Sequence, residues 1–392
     1  MDRARILIAG GGIGGLAAAL ALAQKGIASL VLEKASQLGE IGAGIQLGPN
    51  AFHCFDRLGV GEAARAMAVY IDKLRLMDAM ADGEIMHIDL GETFRSRFGN
   101  PYAVVHRGDL HGVLLKACRA HELIELRTSA EVAGYDQDGN GITARLGTGE
   151  AVSGAALIGA DGLWSNVRRQ VTDDGAPRVS GHTTYRSVIP TEQMPEDLRW
   201  NAATLWAGPK CHIVHYPLSG WKVFNLVVTY HNNAPEPVAG QPVPVEEVRR
   251  GFTHICERAQ TIIRHGRDWR MWVLCDREPT DCWVDGRVAL LGDAAHPMLQ
   301  YMAQGACMAM EDAVCLADSL ASADTLEAGL VRYRDRRVLR TARVQLMSRA
   351  MGDHVYHPDG PHAALRNAIM TAKRQDEWLD VLQWLYGGNG LD

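Results

Sequence analysis

The chain has 392 residues, of which 47% are hydrophobic and 22% charged; this suits one large α/β unit or two intergrown domains with a sizeable core. A formal net charge of −6 leaves no basic excess to neutralise phosphates, which excludes nucleic acid as a partner but not a small anionic ligand. The 8 cysteines form no CxxC pair and no zinc-ribbon spacing, so they read as reduced thiols of a cytoplasmic protein, with no metal site expected.

From the N-terminus, Arg5–Ala9 reads as a short buried strand, Gly14–Lys25 as a helix rich in Ala and Leu, and Ser29–Leu32 as the next strand, ending at Glu33. The uncharged run Ile6–Ala23 also has the look of a signal peptide or membrane span. The glycines at 10, 11, 12, 14 and 15 argue against that, because each costs about 1 kcal/mol against Ala inside a helix. Strand, turn and helix account for the same residues, and no membrane span is expected. In Gly10-x-Gly12-x-x-Gly15 the glycines permit a tight turn, close approach of a pyrophosphate to the backbone, and close strand–helix packing. Glu33 is placed to accept hydrogen bonds from a ribose, and Gly14 and Lys34 join the candidate cofactor residues. This pattern signals a dinucleotide without separating FAD from NAD.

Ala103–Val105 reads as a strand leading through Arg107-Gly108-Asp109-Leu110 into a helix to Ala120, which suggests a further crossover. Short strands follow at Ile124–Leu126, Val132–Tyr135 and Ile142–Leu146, with residues 138–141 as a hairpin turn. After about residue 180 the character changes. Strands at Tyr185–Ile189, Cys211–Tyr216 and Val223–Tyr230, with a proline-rich loop from Ala234 to Val245, read as an inserted mixed or antiparallel domain. Val288–Leu291 is then a buried strand, followed by a helix from Gly305 to Leu320. Thr325–Ala350 is helical and arginine-rich; its charges read as a solvated face, with Tyr333, Val338 and Val344 inward. The helices from Pro361 to Tyr386, carrying Trp378 and Trp384, are open to two readings: a homodimer surface, or packing on their own chain.

Two later strand ends carry a carboxylate, Asp161 in Gly159-Ala160-Asp161-Gly162 and Asp293 in the stretch Arg287–Pro297. Taken alone, each Asp reads first as a helix cap. Three such strand ends in one chain favour FAD, because a carboxylate there can bond a ribityl or ribose hydroxyl and a following helix N-terminus can stabilise charge on a flavin ring.

In order and spacing, the glycine fingerprint, GADGLWSNVR and LLGDAAHP resemble the single-component class A flavoprotein aromatic hydroxylases over essentially the whole chain. The stretches GPKCHIVHYPL, DREPTDCWVDGR and AAHPMLQYMAQGA resemble the 3-hydroxybenzoate 6-hydroxylases more than salicylate or 4-hydroxybenzoate hydroxylases. The resemblance implies an α/β fold: a Rossmann-like, GR2-type FAD-binding domain, an inserted mixed β-sheet substrate domain, and C-terminal helices. Residues 1–70, 100–180 and 276–325 are assigned to the first, 71–99 and 181–275 to the second, and 326–392 to the helices. It also implies tightly but non-covalently bound FAD, with NADH or NADPH (NADH favoured) as a transient co-substrate. Dioxygen would give a flavin hydroperoxide that hydroxylates 3-hydroxybenzoate para to its hydroxyl, forming gentisate.

Carried over residue by residue, Arg107 contacts the flavin, Asp293 the ribityl chain, and Asp161 both FAD and nicotinamide, while Val132, Gly305 and Ala306 complete the cofactor set. His212, Tyr216 and Gln300 match the substrate pocket. Strand alternation agrees, placing His212, Val214 and Tyr216 on one face and His215 on the other, which argues against a His212–His215 metal pair. His212, with an ordinary histidine pKa near ~6.5, is expected to draw off the phenolic proton. Gln300 would share the hydrogen bond at the phenol end, and Tyr216 would stand near the carboxylate. Met298, Leu299, Tyr301 and Met302 are expected to form a dry wall, His296 to shape its loop, and His354 and His357 to lie on the surface. The rival readings are a hydroxylase of another aromatic acid, such as salicylate or 6-hydroxynicotinate, a flavin oxidase or dehydrogenase that inserts no oxygen, and a non-catalytic flavin-binding protein.

Overall fold

A computed structural model describes residues 5–39, 44–139 and 141–388. At its centre is a six-stranded sheet, in spatial order Val284–Asp285, Val288–Leu290, Ala156–Gly159, Ile6–Ala9, Ser29–Leu32 and Ile124–Arg127. All neighbours are parallel except the terminal pair Val284–Asp285 and Val288–Leu290. The strands ILIA, SLVL and ALIG are buried throughout, as strands covered on both faces must be. One cover is the helix Ile13–Ala23, packed against the helix Gly305–Ala321. The run that resembled a membrane segment is therefore a buried strand, a turn and an 11-residue helix, and no helix among the described residues is long and apolar enough to cross a membrane.

Ala103–His106 is a strand, but not in this sheet. It pairs antiparallel with Gly44–Leu47 and Val69–Tyr70 in a separate three-stranded sheet, and the parallel edge is supplied by Ile124–Arg127 instead. Strand propensity marks a strand without naming its partner, which explains the misplaced crossover. Another three-stranded antiparallel sheet comprises Val132–Asp138, Gly141–Leu146 and Ala151–Gly154. The turn expected at 138–141 includes Asn140, which lies outside the described residues.

The largest sheet has eight strands, ordered Ala239–Pro242, Arg267–Asp276, Arg178–Pro190, Val223–His231, Cys211–Leu218, Ala202–Gly208, Lys73–Asp78 and Gly83–Asp89. It is antiparallel except for Ala202–Gly208 beside Lys73–Asp78, so the sheet is mixed. The proline-rich loop is not structureless: Ala239–Pro242 forms the short edge strand, where a missing N–H is tolerated.

The arginine-rich helix runs from Leu326 to Met351. Tyr333 and Val344 are buried and Val338 is half-buried, but the helix does not simply turn its charges to solvent. Arg337 is 1% exposed and forms ion pairs of 2.6 and 2.7 Å with Glu311 and Asp312, both fully buried. A five-residue π-helical turn, Gly352–Tyr356, follows, then helices Gly360–Thr371 and Gln375–Tyr386. Trp378 packs in one apolar cluster with Phe94, Phe98 and Tyr102, so this end of the chain lies on its own fold.

Candidate active site

A cavity of about 840 Å³ lies between the parallel sheet and the eight-stranded sheet. At one end stands the glycine turn. Gly10 has φ +102°, and a Cβ there or at Gly15 would collide with backbone: with the Ala160 carbonyl oxygen in one case and that of Gly10 in the other. Close packing of strand to helix thus demands these glycines. Gly12 is the N-cap of Ile13–Ala23 and offers no side chain, so the first-turn amides of that helix are left for a ligand. Glu33 braces the turn, accepting from Gly11 N at 2.7 Å and Ala35 N at 2.8 Å. Its carboxylate oxygens keep lone pairs for a ribose. His111, which the sequence did not single out, supports the turn from behind with Nε2 2.8 Å from Gly11 O.

The two strand-end aspartates differ. Asp161 caps the helix Asn166–Thr172, accepting from Ser165 Oγ at 2.5 Å, Asn166 N at 2.8 Å and Val167 N at 3.3 Å. Burial raises its pKa against the pull of those bonds. Asp293 is exposed to the cavity and accepts no hydrogen bond from the described protein. It lies beside the start of the helix Gly305–Ala321, whose N-cap Gln304 makes no side-chain cap bond either. Two uncapped helix N-termini, a braced acid and an unengaged carboxylate along one cavity fit a dinucleotide with a flavin at its far end. Arg107, Lys34, Val132, Gly305 and Ala306 all line the same cavity.

The turn that carries Asp293 is held by a buried ion network. Asp312 accepts from Gly292 N at 3.0 Å, His296 Nε2 at 2.5 Å and Arg337 Nε at 2.7 Å. Burial pushes the Asp312 carboxyl up, but His296 and Arg337 outweigh it and take the pKa down to about 2. His296 therefore does more than shape a loop: it is one of the groups that pin Asp312.

At the other end the strand Cys211–Leu218 presents His212, Val214 and Tyr216 to the cavity, while His215 points away and accepts from Trp206 Nε1 at 3.2 Å. Thr229 faces His212 across the sheet, and Gln300 Nε2 donates to Thr229 Oγ1 at 3.2 Å and to Thr184 Oγ1 at 3.0 Å. His212, Tyr216 and Gln300 thus line one chamber. Met298, Leu299, Tyr301 and Met302 line it as well. Arg186 was missed by the sequence reading. Its Nη2 donates to Gln300 Oε1 at 3.2 Å, it forms no ion pair among the described residues, and burial lowers its pKa.

Two expectations need correction. His357 is not a surface residue: its Nε2 lies 2.8 Å from His212 Nδ1, and only His354 of that pair is exposed. Nor does His212 keep an ordinary pKa. Burial, helped by His357 and His182, holds it well below 6.5. The same cause, with neighbouring histidines, takes His357 to about 3 and His182 to about 4.

A glycine-turn cradle opening into a chamber lined by Met298, Leu299, Tyr301 and Met302, with the His212 imidazole on its wall, fits a flavin enzyme that acts on an aromatic ring. The chain matches the FAD binding domain family over residues 3–348 and belongs to it, as a class A flavoprotein aromatic hydroxylase. It is 57% identical to 3-hydroxybenzoate 6-hydroxylase 1 of Aquipseudomonas alcaligenes, over 97% of each chain. It is 49% identical to the 3-hydroxybenzoate 6-hydroxylase of Polaromonas naphthalenivorans, over 98% of this chain and 96% of that one. Among solved structures it resembles Klebsiella pneumoniae HpxO complexed with FAD and uric acid, with a TM-score of 0.86 and 25% identity, covering 98% of this chain and 97% of that one.

Proposed function

We propose that this enzyme hydroxylates 3-hydroxybenzoate para to its hydroxyl group, giving gentisate, water and NAD(P)+ from one dioxygen, one NAD(P)H and one proton, with NADH favoured. The observation that carries the reading is the chamber itself: the His212–Val214–Tyr216 face, with Gln300 beside it, opens into the same cavity as the nucleotide cradle. The names of the relatives with 57% and 49% identity support the choice of substrate.

The amides after Gly12, with Gly10, Gly14 and Gly15 shaping the turn, hold the pyrophosphate, Glu33 the ribose, and Asp293 the ribityl chain. Lys34 and Val132 border the adenosine, and Asp161 acts through the helix it caps. Arg107 and the helix start at Gly305 and Ala306 face the flavin. Bound FAD supplies reducing equivalents to dioxygen and delivers an electrophilic oxygen atom. The protein's part is to ready the ring. His212 accepts the phenolic proton, which raises electron density para to the oxygen, and Gln300, held by Thr184 and Thr229, orients that end. Tyr216 stands at the carboxylate end, and the half-buried cation of Arg186 favours an anionic substrate. Leu299 and Tyr301, both buried, keep water away from the reacting atoms.

The division proposed is a cofactor domain built on the parallel sheet and a substrate domain built on the eight-stranded sheet. Eight free cysteines agree with a reducing, cytoplasmic location. Incubation with 3-hydroxybenzoate and NADH under isotopically labelled dioxygen tests the function. Gentisate carrying a single labelled oxygen is expected. Unlabelled product would point to an oxidase or dehydrogenase, and product formed only from another hydroxybenzoate would move the substrate assignment.

A further inference from the structure

A base sealed in a dry chamber has nowhere to put the proton it takes, and burial opposes a charged imidazole there. His212 is in this position: it is 1% exposed, and the rings of Tyr301 and Tyr356 lie 5.5 and 4.9 Å from its own. Its Nδ1, however, meets His357 Nε2 at 2.8 Å, edge to edge, with the ring centroids 5.0 Å apart and the planes 26° from parallel. A contact of that length between neutral imidazoles requires one nitrogen to donate and the other to accept.

The chain reaches this contact by an uncommon device. The long helix ending at Met351 continues into the π-helical turn Gly352–Tyr356, closed by His357 N donating to Gly352 O at 3.0 Å. Tyr356 is pinned alongside by its hydroxyl, which donates to Tyr301 O at 2.7 Å. Such turns are rare and occur mostly at functional sites. Beyond His357 the row continues. The His182 ring lies 5.2 Å from it, and half-buried His231 lies 4.2 Å from His182. The titratable groups around His357 are thus His212, His182 and His231 from three adjacent strands, with Tyr301 and Tyr356 beside them.

We propose that His357 is the proton exit of the site, a relay residue that acts through His212; the proposal rests on the reading of His212 as the base. The phenolic O–H bond breaks as its proton bonds to His212 Nε2. The Nδ1–H bond of His212 breaks as that proton bonds to His357 Nε2. His357 then gives up its Nδ1 proton; that nitrogen is buried and has no hydrogen-bond partner in the described protein. The route outward runs past the His182 ring, 5.2 Å from that of His357, to half-buried His231 and water. No electrons change hands, and the sum is one proton moved from substrate to solvent. Both imidazoles end neutral, with their tautomers exchanged, and the reverse transfer to the product resets them. Charge never has to rest on His212, so its burial does not block deprotonation.

The test mixes FAD-loaded enzyme with 3-hydroxybenzoate without oxygen, in weak buffer containing a pH indicator, and follows proton release and phenolate absorbance. His357→Gln retains a hydrogen-bond partner for His212 but cannot pass a proton on. It is expected to slow both signals at least about tenfold while FAD content and substrate Kd stay within about twofold. His357→Phe should show the same loss, and added imidazole should restore part of it. In the unmodified enzyme, rates in mixtures of light and heavy water should curve with isotope fraction, as expected when more than one proton moves. Proton release by His357→Gln at the unmodified rate overturns the proposal. So does a loss of FAD that imidazole does not rescue, or a linear isotope dependence. If the unmodified enzyme forms no phenolate on binding 3-hydroxybenzoate, the reading of His212 falls and the relay with it.

Discussion

Replacing Arg337 by Met tests how the flavin end of the site is held. Arg337 is 1% exposed and binds Glu311 and Asp312 at 2.6 and 2.7 Å, with both carboxylates fully buried. Arg340, half-buried, also reaches Glu311, so that acid keeps a cation in the variant. Asp312 would keep only His296 and the Gly292 amide. Removing one partner of a buried pair costs about 3–5 kcal/mol, because the other charge is left uncompensated, which is a factor of about 10²–10³ or more in the folded population. Part of that loss should appear locally, since Asp312 positions the Gly292–Asp293 turn, and FAD retention should fall with stability. Urea unfolding followed by circular dichroism, with FAD content measured on the purified protein, provides the assay. Adding Asp312→Asn to Arg337→Met should recover part of the stability by removing the stranded charge. A loss under about 0.5 kcal/mol in the single variant, with full FAD content, would refute the reasoning, because that is the scale of an ordinary surface substitution.

Other outcomes follow from the same geometry. His182, buried, and His357, half-buried, are held neutral, with pKa values of about 4 and about 3 against an unfolded value of 6.5. Below 6.5 the unfolded chain binds protons that the native state refuses, so stability should begin to fall there and decline further toward pH 4; a denaturation midpoint flat between pH 7 and 5 would contradict this. His212→Ala should retain FAD but lower hydroxylation by about 10²–10⁴ and release more hydrogen peroxide per NADH, read by product and peroxide assays; full coupling would remove His212 from the chemistry. Gly15→Ala places a methyl against the Gly10 carbonyl, and the purified variant should be colourless or insoluble.

How much of this was legible in the sequence depended on the range of the interactions involved. The glycine turn and Glu33 form a local motif, in which spacing between a strand and a helix signals a bound dinucleotide though not which one. The His212–Val214–Tyr216 face was equally accessible, because alternation along a strand is a property of the backbone. Asp161 and Asp293 carry the same local signal yet differ in use, one capping a helix and the other open to the cavity. Only the neighbours that fold against them separate the two. His357 meets His212 across 145 residues through a π-helical turn that no periodicity announces. Arg337 sits in a charge run that reads as solvated, and its acids come from a different helix. Arg186 lies in a strand that already carries Arg178, His182, Thr183, Thr184 and Ser187, so nothing local marks it; its place at the chamber comes from Gln300, which folds against it from a distant turn.

The central claim is that this chamber turns reduced flavin and dioxygen on a phenolic acid. It is tested most directly by measuring NADH and NADPH consumption with and without 3-hydroxybenzoate and identifying the product. The account predicts slow oxidation alone, strong stimulation by 3-hydroxybenzoate, faster turnover with NADH, and gentisate formed in step with the NADH consumed. Turnover unchanged by 3-hydroxybenzoate, or stimulation with no hydroxylated product, would contradict it.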